Sequence, residues 1–197
     1  MKIIGLTGPS GGGKSTISSM AKSIGISVID CDNLAREVTE KGSDTLLVLA
    51  KNFGEDIIFS DGTLDRKLLA SRAFVSFDKT ELLNSIMLPA IAKLVEKEIE
   101  RLETLGVKTT ILDAPTLFES GLNSICDLVI AVLCSEEKRM LRIIERDNLT
   151  IEQAKVRLTA AKSDEFYREK ADIIIMNDGD VDELLDRARS IFETLGE

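Results

Sequence analysis

Five short apolar runs recur along the chain, separated by stretches with helical periodicity. They cover residues 1–7, 26–30, 109–114, 127–134 and 172–177. Their apolar character is nearly continuous, which is typical of strands that are buried on both faces of a sheet. Strands that alternate with helices form a parallel sheet with helices on both faces. The pattern therefore predicts an α/β fold built on a five-stranded parallel sheet.

Two long helical blocks interrupt this alternation. The first, residues 61–106, holds three helical segments, and Pro89 is expected in the first turn of the last one, where its missing N–H is tolerated. In the second, residues 135–171, Thr150 and Gln153 have the spacing of a capping box. These blocks are predicted as a helical substrate-binding insertion and a helical lid.

The length of 197 residues and the lack of repeats or Pro-rich linkers predict a single domain, residues 1–197. Its core is expected to comprise about residues 1–60, 107–134 and 172–197. Ligands of open α/β sheets collect at the carboxyl ends of the strands. Polar residues that follow the apolar runs are therefore the candidates for chemistry.

The loop after the first apolar run carries the clearest chemical signal. Residues 8–15 read G-P-S-G-G-G-K-S and match the phosphate-binding pattern G-x-x-x-x-G-K-[ST] in full. A strand candidate precedes the loop and a helix candidate, residues 14–25, follows it, as the pattern requires. Glycines let successive backbone N–H groups turn towards a phosphate chain, and the helix adds its positive end. The loop predicts a fold of the P-loop NTPase type that binds a nucleoside triphosphate.

Three side chains near this loop are candidates for phosphate and metal binding. Lys14 can reach the β- and γ-phosphates, and the Ser15 hydroxyl is placed to hold Mg²⁺. Asp113 ends the third apolar run, and a carboxylate at that point is the usual partner of the loop through Mg²⁺ or its waters. The alternative for Asp113 is a turn-forming residue before Ala-Pro.

Two aspartates at the end of the second apolar run are candidates for the acceptor side of a kinase reaction. Asp30 and Asp32 are predicted to close the strand and, because side chains alternate along a strand, to point to the same side, with Asp32 at or just beyond the strand end. Asp32 is predicted to accept the proton of a substrate hydroxyl, and Asp30 to orient groups or to bind through the metal. The alternative is that one of them is only the N-cap of the helix that follows.

The predicted lid carries a row of arginines. Arg139, Arg142 and Arg146 are spaced three and four residues apart, which places them near one helix face. Such a row can clamp the charge of a triphosphate when a lid closes. The alternative is a solvated face whose arginines pair with neighbouring glutamates. If Arg139 lies on the solvated side, its removal is expected to have little effect.

Composition limits the classes of function open to the chain. With 25 basic and 34 acidic residues the net charge is −9, which argues against a general nucleic-acid surface. The 3 cysteines are too few and too scattered for a disulfide framework or a zinc site, and we expect small buried side chains in a reducing compartment. No apolar run reaches the roughly 18 residues of a membrane span, and we expect no signal peptide. These features predict a cytoplasmic monomer.

Several further stretches resemble dephospho-coenzyme A kinases, in that family's order and over nearly the whole chain. The most selective are DGTLDR at residues 61–66, which follows an FG pair, and DAPTLFE at residues 113–119. The other stretches that match the family are the phosphate loop, VIDCDNLAREV, RIIERD and ADIIIMNDG. The resemblance implies that ATP, with Mg²⁺, donates its γ-phosphoryl group to the ribose 3′-hydroxyl of dephospho-coenzyme A. That reaction is the last step of coenzyme A synthesis.

The resemblance also implies roles for individual residues. Those that hold the ATP phosphates are Gly11, Gly12, Gly13, Lys14, Ser15 and Thr16. Asn177 would lie near the adenine, Arg142 matches the lid arginine, and Asp32 matches the acceptor-side base. Those in the substrate-facing insertion are Gly62, Leu64 and Arg66. Asp30 is counted with the substrate-binding residues because of its place after the second strand.

The chain departs from the family pattern at four points. Leu88 precedes Pro89 where the family commonly has His, and Ala161 stands where Gln is common. The pair at residues 9–10 is Pro-Ser where Gly-Ile is frequent, and residues 164–169 lack the family's Lys-type residue. None of these departures removes a group that is assigned to chemistry.

Two other functions are compatible with the phosphate loop. A different small-molecule kinase, of the shikimate or nucleoside type, also fits the D-x-D pattern after the second strand, but the chain lacks a second triple glycine downstream. A nucleotide-dependent switch protein would carry N-K-x-D for guanine and D-x-x-G for the γ-phosphate, and neither is found in the expected place. The dephospho-coenzyme A kinase interpretation is therefore preferred.

Overall fold

The computed structural model describes residues 1–159 and 161–196. Ala160, in the predicted lid, and Glu197, at the end of the predicted core, lie outside the described residues. A five-stranded parallel sheet organises the chain, with the strand order β2-β3-β1-β4-β5. Its strands are β1 (Lys2–Thr7), β2 (Ser27–Asp30), β3 (Thr109–Asp113), β4 (Leu128–Leu133) and β5 (Ile173–Met176). The prediction of a five-stranded parallel sheet is confirmed.

The register of the sheet brings the strand ends to one edge. Leu6 of β1 lies opposite Asp113 of β3 on one side and opposite Ile130 of β4 on the other. β5 continues the sheet, with Leu133 opposite Met176. Because these strands are parallel, the loops that follow β1, β3, β4 and β5 all leave from the same edge.

Both faces of the sheet are covered by helices. On one face, α1 (Lys14–Ser23) and α9 (Val181–Gly196) pack on the central strands. The buried side chains of this cluster are Ile4, Leu6, Ile17, Met20, Ala21, Ile111, Ile130, Val132, Ile175, Leu184, Ala188 and Phe192. On the other face, α8 (Asp164–Lys170) covers β4, with Tyr167 against Ala131 and Leu133. Burial on both faces explains why the strands read as continuous apolar runs rather than alternating ones.

Helices α6 (Glu136–Asp147) and α7 (Ile151–Thr159) precede α8 and form the pair predicted as a lid. They pack together through Ile143, Ala154 and Leu158. The predicted capping box is confirmed: the Gln153 N–H donates to Thr150 Oγ1 at 3.3 Å, and the Thr150 N–H donates to Gln153 Oε1 at 2.9 Å. These reciprocal bonds fix the start of α7.

The chain divides into two compact units. The first consists of Met1–Ile29 together with Leu105–Glu197, and the second consists of Asp30–Thr104. The second unit holds α2 (Cys31–Glu37), α3 (Asp44–Phe53), α4 (Arg66–Ala73) and α5 (Phe77–Thr104). Its own apolar core consists of Leu49, Ala50, Phe53, Ile57, Leu69 and Ala73. The predicted insertion, residues 61–106, lies largely within this unit, and its binding of a substrate stays a prediction.

The prediction of three helical segments in the insertion is wrong for the last two. They form the single helix α5, and Pro89 lies inside it rather than in a first turn. An interior proline removes a backbone hydrogen bond and costs about 3 kcal/mol. Here apolar side chains on both sides of it are held in place, with Ile86 and Met87 against the core of the unit and Ile91 and Val95 buried. Tertiary packing therefore outweighs the local preference.

Cys126 is half-buried, and burial raises the pKa of its thiol to about 12. Such a thiol is almost entirely protonated at neutral pH and is a poor nucleophile. Among the described helices, none combines the length and the apolar character that a membrane crossing needs.

Candidate active site

The phosphate loop links β1 to α1 at the edge where the strands end. Its glycines Gly8, Gly11 and Gly13 have φ values of 133°, 79° and 110°, which side chains rarely adopt. Helix α1 begins at Lys14, as predicted. The strand–loop–helix arrangement that the sequence predicts is therefore present.

The loop lies against the backbone of β4. A Cβ atom at Gly12 would lie 2.6 Å from the carbonyl oxygen of Val132, and one at Gly8 would also collide with that oxygen. On the other side, a Cβ at Gly11 would lie 2.9 Å from the carbonyl oxygen of Arg139 in α6. Glycine is needed at these positions because two backbone segments leave no room for a side chain.

Lys14 lies over the loop that precedes it. Its Nζ donates to the carbonyl oxygen of Gly8 at 2.6 Å and to that of Pro9 at 3.4 Å. The Thr16 N–H donates to the Gly13 oxygen at 3.1 Å, so the turn leads directly into α1. The ammonium group thus lies where the loop and the positive end of a ten-residue helix meet.

The two side chains predicted to hold a metal ion lie on α1 and β3. Asp113 is the last residue of β3, and its Oδ2 accepts a hydrogen bond from Ser18 Oγ at 2.5 Å. Ser18 follows Ser15 by three residues on α1, so the two serines are neighbours on the helix surface. The Ser15 side chain is exposed at the start of the helix. Sequence analysis did not single out Ser18, although its spacing from Ser15 is the signal that could have found it.

These oxygen donors fit Mg²⁺. The described residues contain no cluster of three or more His, Cys, Asp or Glu side chains that would hold a metal by themselves. Mg²⁺ usually keeps several waters and takes one or two protein ligands together with substrate phosphates. A hydroxyl and a carboxylate beside a phosphate loop match that pattern, and the assignment of Ser15 and Asp113 stays a prediction.

Asp32 lies just beyond the end of β2, as predicted, but in a helix rather than in an extension of the strand. Only Asp30 belongs to β2, and Asp32 lies in the first turn of α2. Asp30 is the N-cap: its Oδ1 accepts from the Asn33 N–H at 3.1 Å and its Oδ2 from Asn33 Nδ2 at 2.9 Å. The cap ends the strand and starts the helix, so strand alternation does not apply beyond it. Of the two aspartates, Asp30 takes the capping role, and Asp32 is exposed.

The residues of the insertion that are predicted to bind the acceptor substrate lie around a tight turn that leads into α4. Gly62 has a φ of 87°, and its N–H donates to the Phe59 oxygen at 2.8 Å. Leu64 forms an antiparallel bridge with Ile58. Arg66 begins α4 and donates through a terminal nitrogen to Thr39 Oγ1 at 2.8 Å. Their contact with an acceptor stays a prediction.

Arg142 of α6 joins three parts of the site. One terminal nitrogen donates to the Gly11 oxygen at 3.2 Å and to Cys134 Sγ at 3.3 Å. The other donates to the main-chain oxygen of Asn177 at 3.3 Å. These acceptors are uncharged, so none of them offsets the positive charge of the guanidinium beside the phosphate loop.

Arg139 is not on a solvated side of α6. It is only 6% exposed, its Nε donates to the Ser10 oxygen at 3.3 Å, and it forms an ion pair with Asp164 at 3.6 Å. The solvated-face alternative is therefore wrong for this arginine, because α6 packs directly on the loop. Arg146 is exposed and reaches Ser10 Oγ at 3.5 Å.

Asn177 follows β5 and is buried against the loop. Its Nδ2 donates to the Gly12 oxygen at 2.7 Å, and its Oδ1 accepts from Arg142 at 3.5 Å. The predicted contact with adenine stays a prediction. The sequence does not predict the hydrogen bond from Asn177 to the loop, because it indicates only that Asn177 and the loop lie at the same edge of the sheet.

Comparisons with known proteins show the family of this chain. A family model described as dephospho-CoA kinase matches residues 2–183. The chain belongs to the dephospho-CoA kinase family. It is 40% identical over 181 residues to a dephospho-CoA kinase of Corynebacterium glutamicum, covering 92% of this chain and 90% of the relative.

Solved structures support the family assignment. A dephospho-CoA kinase from Campylobacter jejuni superposes with a TM-score of 0.74 at 25% identity, covering 99% of this chain and 98% of that one. A shikimate kinase from Acinetobacter baumannii gives a TM-score of 0.54 at 17% identity, covering 99% and 93%, which shows the fold alone. This chain therefore shares its fold with that shikimate kinase.

An aromatic cluster lies beside the arginine row of this dephospho-CoA kinase family member. Phe166 and Tyr167 of α8 meet edge to face at a centroid distance of 5.3 Å, and Phe118 packs on both. Tyr167 is 4% exposed. Burial, assisted by the negative charge of Glu119, raises the pKa of the Tyr167 hydroxyl to about 12, because the phenolate would be desolvated.

Tyr167 is the only tyrosine and the chain has no tryptophan, so one chromophore reports this environment. We expect the near-ultraviolet absorbance of the tyrosinate to appear with a midpoint at about 12 in the folded protein. In denaturant the midpoint should return to about 10, the ordinary value. A folded-state midpoint near that ordinary value would show that Tyr167 is solvated and that α8 does not cover it.

Proposed function

We propose that this protein transfers the γ-phosphoryl group of ATP to the ribose 3′-hydroxyl of dephospho-coenzyme A, giving coenzyme A and ADP, the last step of coenzyme A synthesis. The observation that carries the proposal is the phosphate loop, with Lys14 over it and the arginines of α6 bonded to its carbonyl groups. Membership of the dephospho-CoA kinase family supports the choice of acceptor. The loop residues Gly11, Gly12, Gly13, Lys14, Ser15 and Thr16 bind the phosphates.

The charges at the loop suit phosphoryl transfer. The chain as a whole has a net charge of −9, yet Lys14, Arg139, Arg142 and Arg146 all donate to loop residues. Fixed cations stabilise the charge that develops on the transferring group and on ADP. Lys14 and Arg142 take this catalytic role, and Asn177 lies on the ATP side, near the adenine.

Mg²⁺ would be held by Ser15 and Asp113, and when bound it neutralises charge on the β- and γ-phosphates. Ser18 keeps the Asp113 carboxylate at the helix that carries Ser15. In this arrangement Lys14 contacts the transferring phosphoryl group, and Asp113 binds the metal.

Asp32 is the proposed base for the acceptor hydroxyl. The chain contains no histidine, so the usual side chain that titrates near neutrality is missing. The proton must go to a carboxylate, to the phosphoryl group or to water. Asp32 is exposed and is not the cap of α2, which leaves its carboxylate available to orient a hydroxyl. The other residues proposed to bind the acceptor substrate are Asp30, Gly62, Leu64 and Arg66.

The proposed setting is a cytoplasmic monomer that acts on a small molecule and binds neither nucleic acid nor membrane. The acidic net charge of −9 supports the lack of a nucleic-acid surface.

A coupled assay of ADP release tests the proposed acceptor. Dephospho-coenzyme A should accelerate ATP consumption well above the basal rate, whereas shikimate, uridine and AMP should not. A kinase must link chemistry to acceptor binding, because water is far more concentrated than any acceptor. Faster turnover with shikimate or uridine would contradict the proposal.

Lys14→Ala should lower kcat by on the order of a hundredfold or more, because the ammonium stabilises charge that develops between the β- and γ-phosphates. Lys22→Ala, on an exposed position of the same helix, is the matched control and should keep normal turnover. Circular dichroism should show both variants folded. Normal turnover of the Lys14 variant would remove the loop from the mechanism.

Asp32→Asn should slow the reaction by on the order of a hundredfold or more if its carboxylate receives the proton. Steady-state kinetics of both proteins with dephospho-coenzyme A as acceptor are the measurement. If the variant keeps the wild-type rate, Asp32 plays no part in proton transfer.

A further inference from the structure

Three successive carbonyl groups of the phosphate loop are each held from outside the loop. The Ser10 oxygen accepts from Arg139 at 3.3 Å, the Gly11 oxygen from Arg142 at 3.2 Å, and the Gly12 oxygen from Asn177 at 2.7 Å. Arg142 and Asn177 already have proposed roles with ATP. Arg139 was predicted only as one of a row of arginines that clamps charge directly, or as part of a solvated face, and neither alternative describes a bond to the loop backbone.

A peptide unit is planar and trans, so its C=O and N–H groups point in opposite directions. A donor that holds the Ser10 oxygen therefore turns the Gly11 N–H away from α6. Gly11 has a φ of 79°, which bends the chain sharply at this point. The orientation of the Gly11 N–H, one of the proposed phosphate donors, thus depends on what holds the Ser10 oxygen.

The guanidinium of Arg139 is buried, and a buried charge is costly unless it is paired and hydrogen-bonded. Arg139 is 6% exposed and has its counter-charge in Asp164, at 3.6 Å. Asp164 lies in the first turn of α8, whose N-cap Ser163 accepts from the Phe166 N–H at 3.3 Å. The ion pair therefore anchors the guanidinium to a second helix while Nε reaches the loop.

We propose that Arg139, oriented by Asp164, is a positioning residue for ATP: it fixes the Ser10–Gly11 peptide so that the Gly11 N–H faces the phosphates. This role rests on the proposed use of ATP but not on the identity of the acceptor. Arg139 acts through the loop, and its planar fork presents Nε to the loop carbonyl and a terminal nitrogen to the carboxylate in a fixed geometry that the single ammonium group of a lysine does not reproduce.

Isothermal titration with ADP, without acceptor, tests the proposal. Arg139→Gln should weaken ADP binding by about tenfold, the scale of one charge-assisted hydrogen bond. Asp164→Asn should weaken it in the same direction but less, and the double variant should bind no worse than Arg139→Gln alone. Arg139→Lys should recover only part of the loss.

Steady-state kinetics add a readout that a merely structural role would not move. Arg139→Gln should raise the KM for ATP while the KM for dephospho-coenzyme A stays within about twofold, at an unchanged melting temperature. Arg189→Gln is the matched control, because Arg189 also pairs with an aspartate at 3.6 Å but is exposed on α9. That control should behave as the wild type.

Four results would overturn the proposal. Two concern the size of the loss: ADP binding that is unchanged in Arg139→Gln, or losses of ADP affinity in the two single variants that multiply in the double variant. The others are full recovery of ADP affinity in Arg139→Lys, or losses of affinity that follow the fall in melting temperature across the variants. Full recovery with lysine would mean that only the charge matters. If the wild type fails to phosphorylate dephospho-coenzyme A while Arg139→Gln still weakens ADP binding, the acceptor assignment fails and the role of Arg139 stands.

Discussion

The contact between the backbone of the phosphate loop and the end of β4 is the constraint on which the rest of the site depends. Gly8 and Gly12 both lie against the Val132 oxygen, and Gly11 lies against the backbone of α6. Glycine loses more chain entropy on folding than any other residue, so such a loop needs strong external restraints. The sheet and α6 supply them, which lets the loop present N–H groups in a fixed arrangement.

The charges around the loop are organised by the same helix. Arg139 is paired with Asp164, Arg142 has uncharged acceptors, and Arg146 is bound to Asp147. The hydrogen bond from Arg146 lowers the pKa of the Asp147 carboxyl to about 2, so this pair stays ionised at any physiological pH. Arg142 is therefore the one of these three arginines whose hydrogen-bond acceptors, among the described residues, carry no charge.

The sequence predicts the strands, the loop and the start of α7 well, because these depend on local patterns. Each predicted strand agrees with the structure to within one residue at either end, and Thr150 and Gln153 form the predicted capping box. It failed for Pro89, because long-range packing keeps this proline inside a helix. It left open whether Arg139 lies on a solvated face, and contact with the loop buries this side chain. These two features depend on residues far apart in the chain, which periodicity does not report.

Nucleotide affinity in Gly8→Ala, compared with Gly25→Ala, tests most directly whether the fit between loop and sheet creates the site. Both glycines have positive φ, but only Gly8 lies against Val132, whereas a Cβ at Gly25 meets nothing within 4 Å. Both variants therefore place an alanine at a positive φ. We expect ADP binding, measured by calorimetry on proteins shown to be folded, to weaken on the order of a hundredfold in Gly8→Ala and to stay unchanged in Gly25→Ala. Wild-type affinity in folded Gly8→Ala would contradict the account.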